Sequence, residues 1–390
     1  MEFADGSVIA QGVNDRLITK GELSSGLGSQ SYPYSIRSAE QLAVFAAKVN
    51  SGNPEDPALG TAICAFLTED IDLTGASYNG TADNPIPWAP IGTGAEISVN
   101  GTSSVNSYQG TFEGNGKIIS HMSVEQEGYG GLFGCAGGGA VIRRLGLDET
   151  CSVKTIASSS GTAGDGTAAF VGALKSVNGA EPQLVIEHCY TRASISGKSG
   201  RTGAFLGSDD GTSGTGAQRI TNCYTAGLIT TANGEKPGAI AGSFAGGVGP
   251  TGGIRYCYWD ANTSSASGVT LNAVTANTSS KTTLEMKNDA ILDSLNAGAS
   301  QTVWERSDSK NDGYPSFQEI QVFADWGSVG AWALEPDCAS ATSKGSASNP
   351  YLIRSPEDLA WFAYQVNANG KTGLCGKLMG DISLFGGLYV

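Results

Sequence analysis

The sequence predicts an all-β protein, a right-handed parallel β-helix (β-solenoid) with a few short capping or flanking helices. Three observations carry this expectation. First, Ile186-Glu187-His188-Cys189-Tyr190, Ile220-Thr221-Asn222-Cys223-Tyr224 and Ile254-Arg255-Tyr256-Cys257-Tyr258 recur at 34-residue intervals, and an imperfect copy begins at Ile142 with Leu145 in the cysteine position. Second, Ala169-Phe170-Val171-Gly172, Ala204-Phe205-Leu206-Gly207 and Ala239-Ile240-Ala241-Gly242 place Phe170, Phe205 and Ile240 at 35-residue intervals. A fixed period of this size means one structural unit stacked on copies of itself. Third, the 56 glycines punctuate the repeats every few residues. Glycine costs about 1 kcal/mol at each helix-interior position, which argues against helical repeats.

The segments between glycines are short and rich in Ile, Val, Thr, Tyr and Phe, which fit pleated surfaces. Propeller blades run to about 40–50 residues, longer than this period. In a parallel coil each strand lies on its equivalent in the turn below, roughly 4.8 Å away. Ile186, Ile220 and Ile254 then form one inward column, and Cys189, Cys223 and Cys257 another. His188, Asn222 and Tyr256 share the slot between them. That slot reads as a bend in the left-handed region, which Asn tolerates best.

A larger duplication frames the stack. Tyr34 to Asn50 recurs as Tyr351 to Asn367 with eleven of seventeen positions identical, and Cys64–Leu73 matches Cys375–Leu384. Both copies open a helix. Ser38 and Ser355 are the N-caps, Gln41 completes a capping box, and Pro356 takes the first helical position. Leu42, Phe45, Ala46 and Val49 fall on one face. Such a helix suits the open end of a stack, where bare strand edges template aggregation. A shorter helix from Thr282 to about Leu295, with a Thr282–Glu285 capping box, is expected to close or buttress the other end. Asn311-Asp-Gly-Tyr-Pro315 reads as the turn that ends the module. The expected boundaries are 1–30 for a leader and N-terminal extension, 31–323 for the repeat module, 324–348 for a linker, and 349–390 for the start of a second, truncated copy.

Net charge is −14 and only 15% of residues are charged. Such a surface argues against nucleic acid and anionic membranes as partners. No apolar run reaches the ~18 residues that a membrane span needs, and no membrane insertion is expected. The N-terminus lacks a basic-then-apolar secretion signal; Met1-Glu2-Phe3 reads as an added leader on a piece of something longer. The eight cysteines contain no CxxC pair, which argues against a zinc ribbon. Cys189, Cys223 and Cys257 read as small buried hydrophobes. Cys135 and Cys151 flank a strand and are candidates for a bridge.

Gly131-Leu132-Phe133-Gly134 is a GLUG motif, and Gly203–Gly207 and Gly238–Gly242 are looser copies. With Gly110-Thr-Phe-Glu-Gly-Asn-Gly-Lys117, the Ile-x-x-Cys-Tyr strings and Tyr258-Trp-Asp260, the chain resembles the GLUG-repeat modules of large bacterial surface proteins. The resemblance covers roughly residues 31–320 and restarts at 350. It implies a right-handed parallel β-helix on secreted or wall-attached proteins, many of them adhesin-like. It brings no catalytic signature, although some members sit beside protease or glycan-active domains.

The search for chemistry yields few candidates. His121 and His188, the only histidines, lie in no nucleophile elbow or zinc motif. Asp70 and Asp72 share one side of a regular strand, where they could meet a sugar or a cation; the alternative is a solvated edge before the Thr74-Gly75 turn. Asp209-Asp210-Gly211 reads as a solvated turn. Asp308-x-Lys310-x-Asp312-Gly313 is similar to a calcium loop, but Lys310 breaks the ligand spacing. Gly246 to Gly253 lacks the lysine and helix start of a phosphate cradle. Tyr190, Tyr224 and Tyr258 stack along one face. Outward, they form an aromatic ladder suited to sugar rings or a protein partner; turned by the bend, they join the core.

The expectation is a non-catalytic extracellular module that binds a glycan or host protein, or acts as a stiff spacer. It is secreted or surface-attached, monomeric, and without metal or cofactor. The alternative is a polysaccharide-processing β-helix enzyme with two exposed carboxylates about 5–10 Å apart.

Overall fold

The 34-residue period is a stacking period. In the computed structural model, Ile142, Ile186, Ile220 and Ile254 are successive partners in one parallel ladder, continued by Phe112 below and Thr275 above. The structure describes residues 23, 28–30, 33–51, 57–74, 87–99, 102–156, 165–176, 183–209, 218–244, 253–264, 266, 268, 275–299, 302–318, 335–354, 356–367 and 369–380. Most of the expected leader (1–30), residues 319–334 at the module end and in the linker region, the stretch 245–252 and the chain end from 381 lie outside them.

The described chain is mostly β with parallel pairing and a few helices, as expected. Among the described residues, antiparallel pairing joins Glu96–Val99 with Thr102–Val105 and Trp304–Glu305 with Ser316–Phe317, and one isolated bridge links Ser346 and Asn349. Each turn begins with two short limbs, such as Leu184–Glu187 and Tyr190–Thr191. It continues through a second ladder (Ser123–Glu127, Ser152–Ile156, Ser194–Gly197, Ile229–Thr231) and a third (Phe133–Ala136, Val171–Leu174, Leu206–Asp209). The apolar columns of all three ladders meet in one buried core. Phe170 and Phe205 stack there with ring centroids 5.2 Å apart. Burying each such side chain stabilises by roughly 1.5–3 kcal/mol. The Gly207 and Gly242 positions admit no side chain: a Cβ there would lie 2.2 Å from the Thr167 nitrogen and 2.3 Å from the Thr202 nitrogen, respectively.

The slot between the limbs is left-handed in five successive turns. Arg144, His188, Asn222, Tyr256 and Asn277 have φ of 51°, 51°, 56°, 53° and 51°. In the turn below, Gly114 to Gly116 replace the single residue Arg144, because Arg143 pairs with Glu113 and Leu145 with Lys117. The bend leaves carbonyls that the next inward side chain must satisfy. Cys223 Sγ approaches the Thr221 carbonyl at 3.0 Å, and Cys257 Sγ the Arg255 carbonyl at 3.2 Å. The Cys189 N–H donates to Cys223 Sγ at 3.4 Å. Thr278 repeats this pattern in the last turn. Its hydroxyl donates to the Ala276 carbonyl at 3.0 Å and accepts the Cys257 N–H at 3.3 Å. Cysteine serves here as a small hydrogen-bonding side chain, and burial pushes the Cys223 thiol well up. All eight cysteines are free, and the candidate bridge between Cys135 and Cys151 does not form.

Helix α1 (Ala39–Ser51) lies against the first turns, with the Phe45 ring 5.8 Å from Phe112 and 6.0 Å from Tyr108. The Gln41 N–H donates to the Ser38 hydroxyl, while the Gln41 side chain accepts from the Arg37 N–H, one residue earlier than a standard capping box. A six-residue helix α2 (Pro57–Ala62) follows. The expected helix from Thr282 is two helices, α3 (Thr283–Met286) and α4 (Ala290–Leu295), and its Thr282–Glu285 capping box is present. They do not close the far end. That end is blunted instead by polar residues in the last turn, Thr275, Asn277 and Ser280, all exposed. No helix among the described residues is long and apolar enough to cross a membrane.

The second copy has an apolar cluster of its own around Tyr351, Ile353 and Trp361, with α5 spanning Pro356–Asn367. The expected boundary at 349 moves earlier. The Leu352 N–H donates to the Asp337 carbonyl, and the Cys375 N–H donates to the Gly345 carbonyl as the Cys64 N–H does to Gly28. Residues 335–348 thus belong to this unit, and Gly28 to the first.

The left-handed slot yields a test. His188 has a β-carbon penalty there and a buried, unpaired Nε2; Asn carries the left-handed conformation at lower cost. His188→Asn is expected to raise stability by about 1 kcal/mol in urea unfolding. Cys223→Val is expected to lower it by about 1–3 kcal/mol while Cys223→Thr retains most of it. Equal losses for the Val and Thr variants would refute the hydrogen-bonding role of this column.

Candidate functional site

Alternation along the second limb decides where the tyrosines point. The Cys column faces the core, so the adjacent Tyr190, Tyr224 and Tyr258 face away from it, in register with one another. The Tyr190 and Tyr224 rings are 5.2 Å apart and within 4° of parallel. An aromatic ladder therefore exists on the outer flank, but it is not open to a ligand. Residues 282–299 and 302–318 fold back over it as a strap, and Met286, Ile291, Leu295, Trp304, Tyr314 and Phe317 close a second apolar cluster on the three rings. Tyr190 and Tyr224 are 0% exposed and Tyr258 5%. The exposed binding ladder allowed by the sequence is corrected to a buried docking strip. Its physical cause is the apolar area that the strap removes from water. Burial pushes the Tyr190 and Tyr224 phenols up in pKa.

The strap is held by specific polar contacts. Asn222, in its left-handed slot, donates from Nδ2 to the carbonyls of Leu295 at 2.7 Å and Ala297 at 2.9 Å. This satisfies backbone acceptors at the end of α4. The expected terminal turn is a docking element. Asn311, Asp312 and Gly313 all have positive φ, of 48°, 52° and 78°. Asn311 Nδ2 donates to Tyr224 Oη at 2.6 Å and to the Pro315 carbonyl at 2.7 Å, and the Tyr224 hydroxyl donates to that same carbonyl. The Tyr314 hydroxyl donates to the fully buried Asp260 at 2.7 Å. Arg192 and Lys287 lie over the Tyr314 ring at 5.0 and 4.6 Å, and both reach the Asp312 carboxylate. Trp304 and Arg192 escaped the sequence reading, and Asp260 and Tyr314 entered it only as parts of the Tyr258-Trp-Asp260 and Asn311-Asp-Gly-Tyr-Pro315 strings. Asn311-Asp-Gly-Tyr-Pro315 was their one visible signal, since three tolerant residues in succession mark a demanding turn.

The candidate carboxylates are occupied. Asp70 Oδ1 accepts the Ile118 N–H of the next turn at 2.9 Å. Asp72 Oδ1 accepts the Thr74 N–H at 2.8 Å and its hydroxyl at 2.7 Å, and lies 2.9 Å from His121 Nδ1. Asp148 caps Thr150, and Asp260 caps Asn262, in the same way. These aspartates end the second limb and turn the chain. Partial burial raises the Asp72 pKa, but the Thr74 and His121 contacts outweigh it and hold the carboxyl below its usual 3.8. His121 itself is a turn residue at φ 57°. His188 is half-buried in the bend column, and desolvation lowers its pKa.

In the loop similar to a calcium site, Arg306 pairs with Asp308 and Asp289, and Lys287 with Asp312. Those acids hold the strap. Asp209 ends a strand, and Asp210 lies outside the described residues, as does most of Gly246–Gly253. Among the described residues no cluster of three or more metal-ligating side chains forms. An open groove of about 320 Å³ lies beside the last turn, lined by Lys281, Leu284, Glu285, Asn288, Ile291 and Ser294 among others. The Glu285 carboxylate is committed there to the Thr282 cap.

No protein-family model matches this chain, and no curated protein matches it. Among solved structures, it is similar to a crystal structure from Bacteroides ovatus carrying the provisional name immunoglobulin A1 protease. The identity is 18%, the match covers 77% of this chain and 96% of the other, and the TM-score is 0.43.

Two tests follow from this geometry. Tyr224→Phe removes the hydroxyl that links Asn311 and Pro315 and leaves both buried; it is expected to cost about 1–3 kcal/mol and to raise amide exchange in residues 302–318 before that of the ladders. The Asp72 carboxyl is lowered in the folded state, so its stabilising contribution is complete above about pH 4 and is lost as pH falls below that. Asp72→Asn is expected to flatten stability against pH in that acid range; an unchanged acid slope would remove the capping assignment.

Proposed function

We propose that this chain is a non-catalytic presenting module of a bacterial surface protein: a right-handed parallel β-helix of the GLUG-repeat kind that acts as a stiff spacer for neighbouring domains. The observation that carries the reading is the unbroken register from Phe112 through Ile142, Ile186, Ile220 and Ile254 to Thr275. These rungs span about 24 Å at roughly 4.8 Å per step, with ladder hydrogen bonds directed along the stack. Parallel crossovers wind right-handed in nearly all proteins, which supports the handedness. The restart of the same cap architecture at residues 335–380 supports an array of such modules. The outward groups best suited to a ligand, the three tyrosines and Asp70 and Asp72, are committed to internal contacts. Recognition of a glycan or host protein therefore falls to the array or to its neighbours, and this unit sets their spacing.

Antibodies raised against residues 87–318 are expected to label intact, unpermeabilised cells of the source bacterium. Labelling only after permeabilisation would overturn the surface assignment. Separately, the purified protein is expected to release no reducing ends and form no unsaturated uronates from a panel of neutral and acidic polysaccharides. Turnover of any of them would overturn the non-catalytic assignment.

A further inference from the structure

Of the five residues in the bend column, His188 alone changes charge near neutral pH. The register places it between Arg144 below and Asn222 above, since Arg143 pairs with Glu187 and Glu187 with Thr221, while Gly146 pairs with Tyr190 and Tyr190 with Tyr224. Each neighbour is one rung away, roughly 4.8 Å. The backbone is tied into the same stack. The His188 N–H donates to the Thr221 carbonyl at 3.0 Å, and the Cys189 N–H to Cys223 Sγ at 3.4 Å. The His188 Nε2 is sealed from water and has no hydrogen-bond partner among the described residues.

The charges around this ring are already matched to one another. From the strands below, Arg143 and Arg144 both reach Glu113, at 2.6 and 2.9 Å. On the ring's own strand, Glu187 is shared by Arg143 at 3.9 Å and Arg219 at 3.1 Å. The Arg144 and Glu113 side chains are only 11% and 7% exposed, so solvent screens them little. Above lies Asn222, an uncharged amide whose Nδ2 is committed to the Leu295 and Ala297 carbonyls. The neutral ring, with its N–H on Nδ1, asks for no acceptor at Nε2. A second proton would put a donor on the sealed nitrogen and a cation one rung above Arg144, while both carboxylates are held by arginines.

We propose that His188 is an acid-sensitive joint for the strap: a proton taken up on Nε2 loosens the stacked bends at 188 and 222, and with them the hold of Asn222 on the end of α4. The stretch that follows carries Trp304, whose ring lies 5.4 Å from Tyr224 and 6.3 Å from Tyr190. Its release opens the tyrosine ladder to water. Desolvation is the largest influence on the ring; with Arg144 and Arg143 it outweighs Glu187 and Glu113 and lowers the pKa from 6.5. The unfolded chain therefore binds the proton first. The joint is intact above about pH 6.5, and its contribution is lost as pH falls below that.

The test uses the full chain between pH 7.5 and 5.5, with histidine titration followed by NMR, amide protection factors and urea unfolding. The His188 resonance is expected to titrate below 6.5. Protection at residues 295–299 and 302–304 should fall at least fivefold more than at 184–187 and 219–221. The unfolding constant should rise about threefold or more beyond the rise seen for His188→Asn, which stays neutral and suits the bend. His121→Asn, which lacks the other histidine, should behave as the wild type. The joint is refuted if His188 titrates at or above 6.5, or if His188→Asn loses strap protection in acid as the wild type does. It is equally refuted if His121→Asn removes the effect, or if ladders and strap lose protection together. A purely structural His188 would shift stability by the same factor at both ends of the range, and that result would also overturn it. None of these outcomes depends on where the protein resides or on whether it has catalytic activity.

Discussion

One backbone constraint underlies the rest of the structure: a single left-handed residue between the two limbs of five successive turns, from Arg144 to Asn277. It breaks the strand at the same place in each of them, which puts the isoleucine and cysteine columns inside and the tyrosines outside. It also exposes carbonyls that only a small hydrogen-bonding side chain can reach. This accounts for Cys189, Cys223, Cys257 and, at the end, Thr278 in one column. Arg144, His188 and Tyr256 adopt the left-handed conformation without Asn's tolerance for it, so the stacked neighbours must hold the strain.

The outer flank follows from the same bend. Three tyrosines one rung apart, the rings of Tyr190 and Tyr224 parallel, are a large apolar surface, and the chain covers it with its own strap. Asn222 serves both structures, since its backbone makes the bend and its amide holds the end of α4. The Asp column beside it closes the second limb and, at Asp260, grips the strap through Tyr314. At Asp72 the contacts that shape the turn, to Thr74 and His121, also hold the carboxyl below its usual range.

Much of this was legible in advance because stacking is a one-dimensional problem. Ile186, Ile220 and Ile254 had to share a column once the period was seen, and the His188, Asn222 and Tyr256 slot announced its bend by residue type. The capping signals at Ser38 and Thr282 rest on contacts three residues away and were equally visible. Other features depended on contacts that no local pattern encodes. The helix from Thr282 was expected at the stack's end, but the apolar residues of α3 and α4 find more surface against the tyrosines than against a polar last turn. Residues 335–348 are small and polar like a linker, yet the Asp337 and Gly345 carbonyls accept the Leu352 and Cys375 N–H groups.

The sequence by itself determined the period, the inward columns, the bend and the paired caps, because each depends on residues at fixed short spacings or on exact repetition of them. Only the tertiary structure decided the fate of the outward face. Trp304, Tyr314 and Phe317 lie far along the chain from the rings they cover, and alternation along a strand tells which way a side chain points, not what arrives to meet it. Burial on that face is a property of the assembled flank, created when two distant apolar surfaces leave water together.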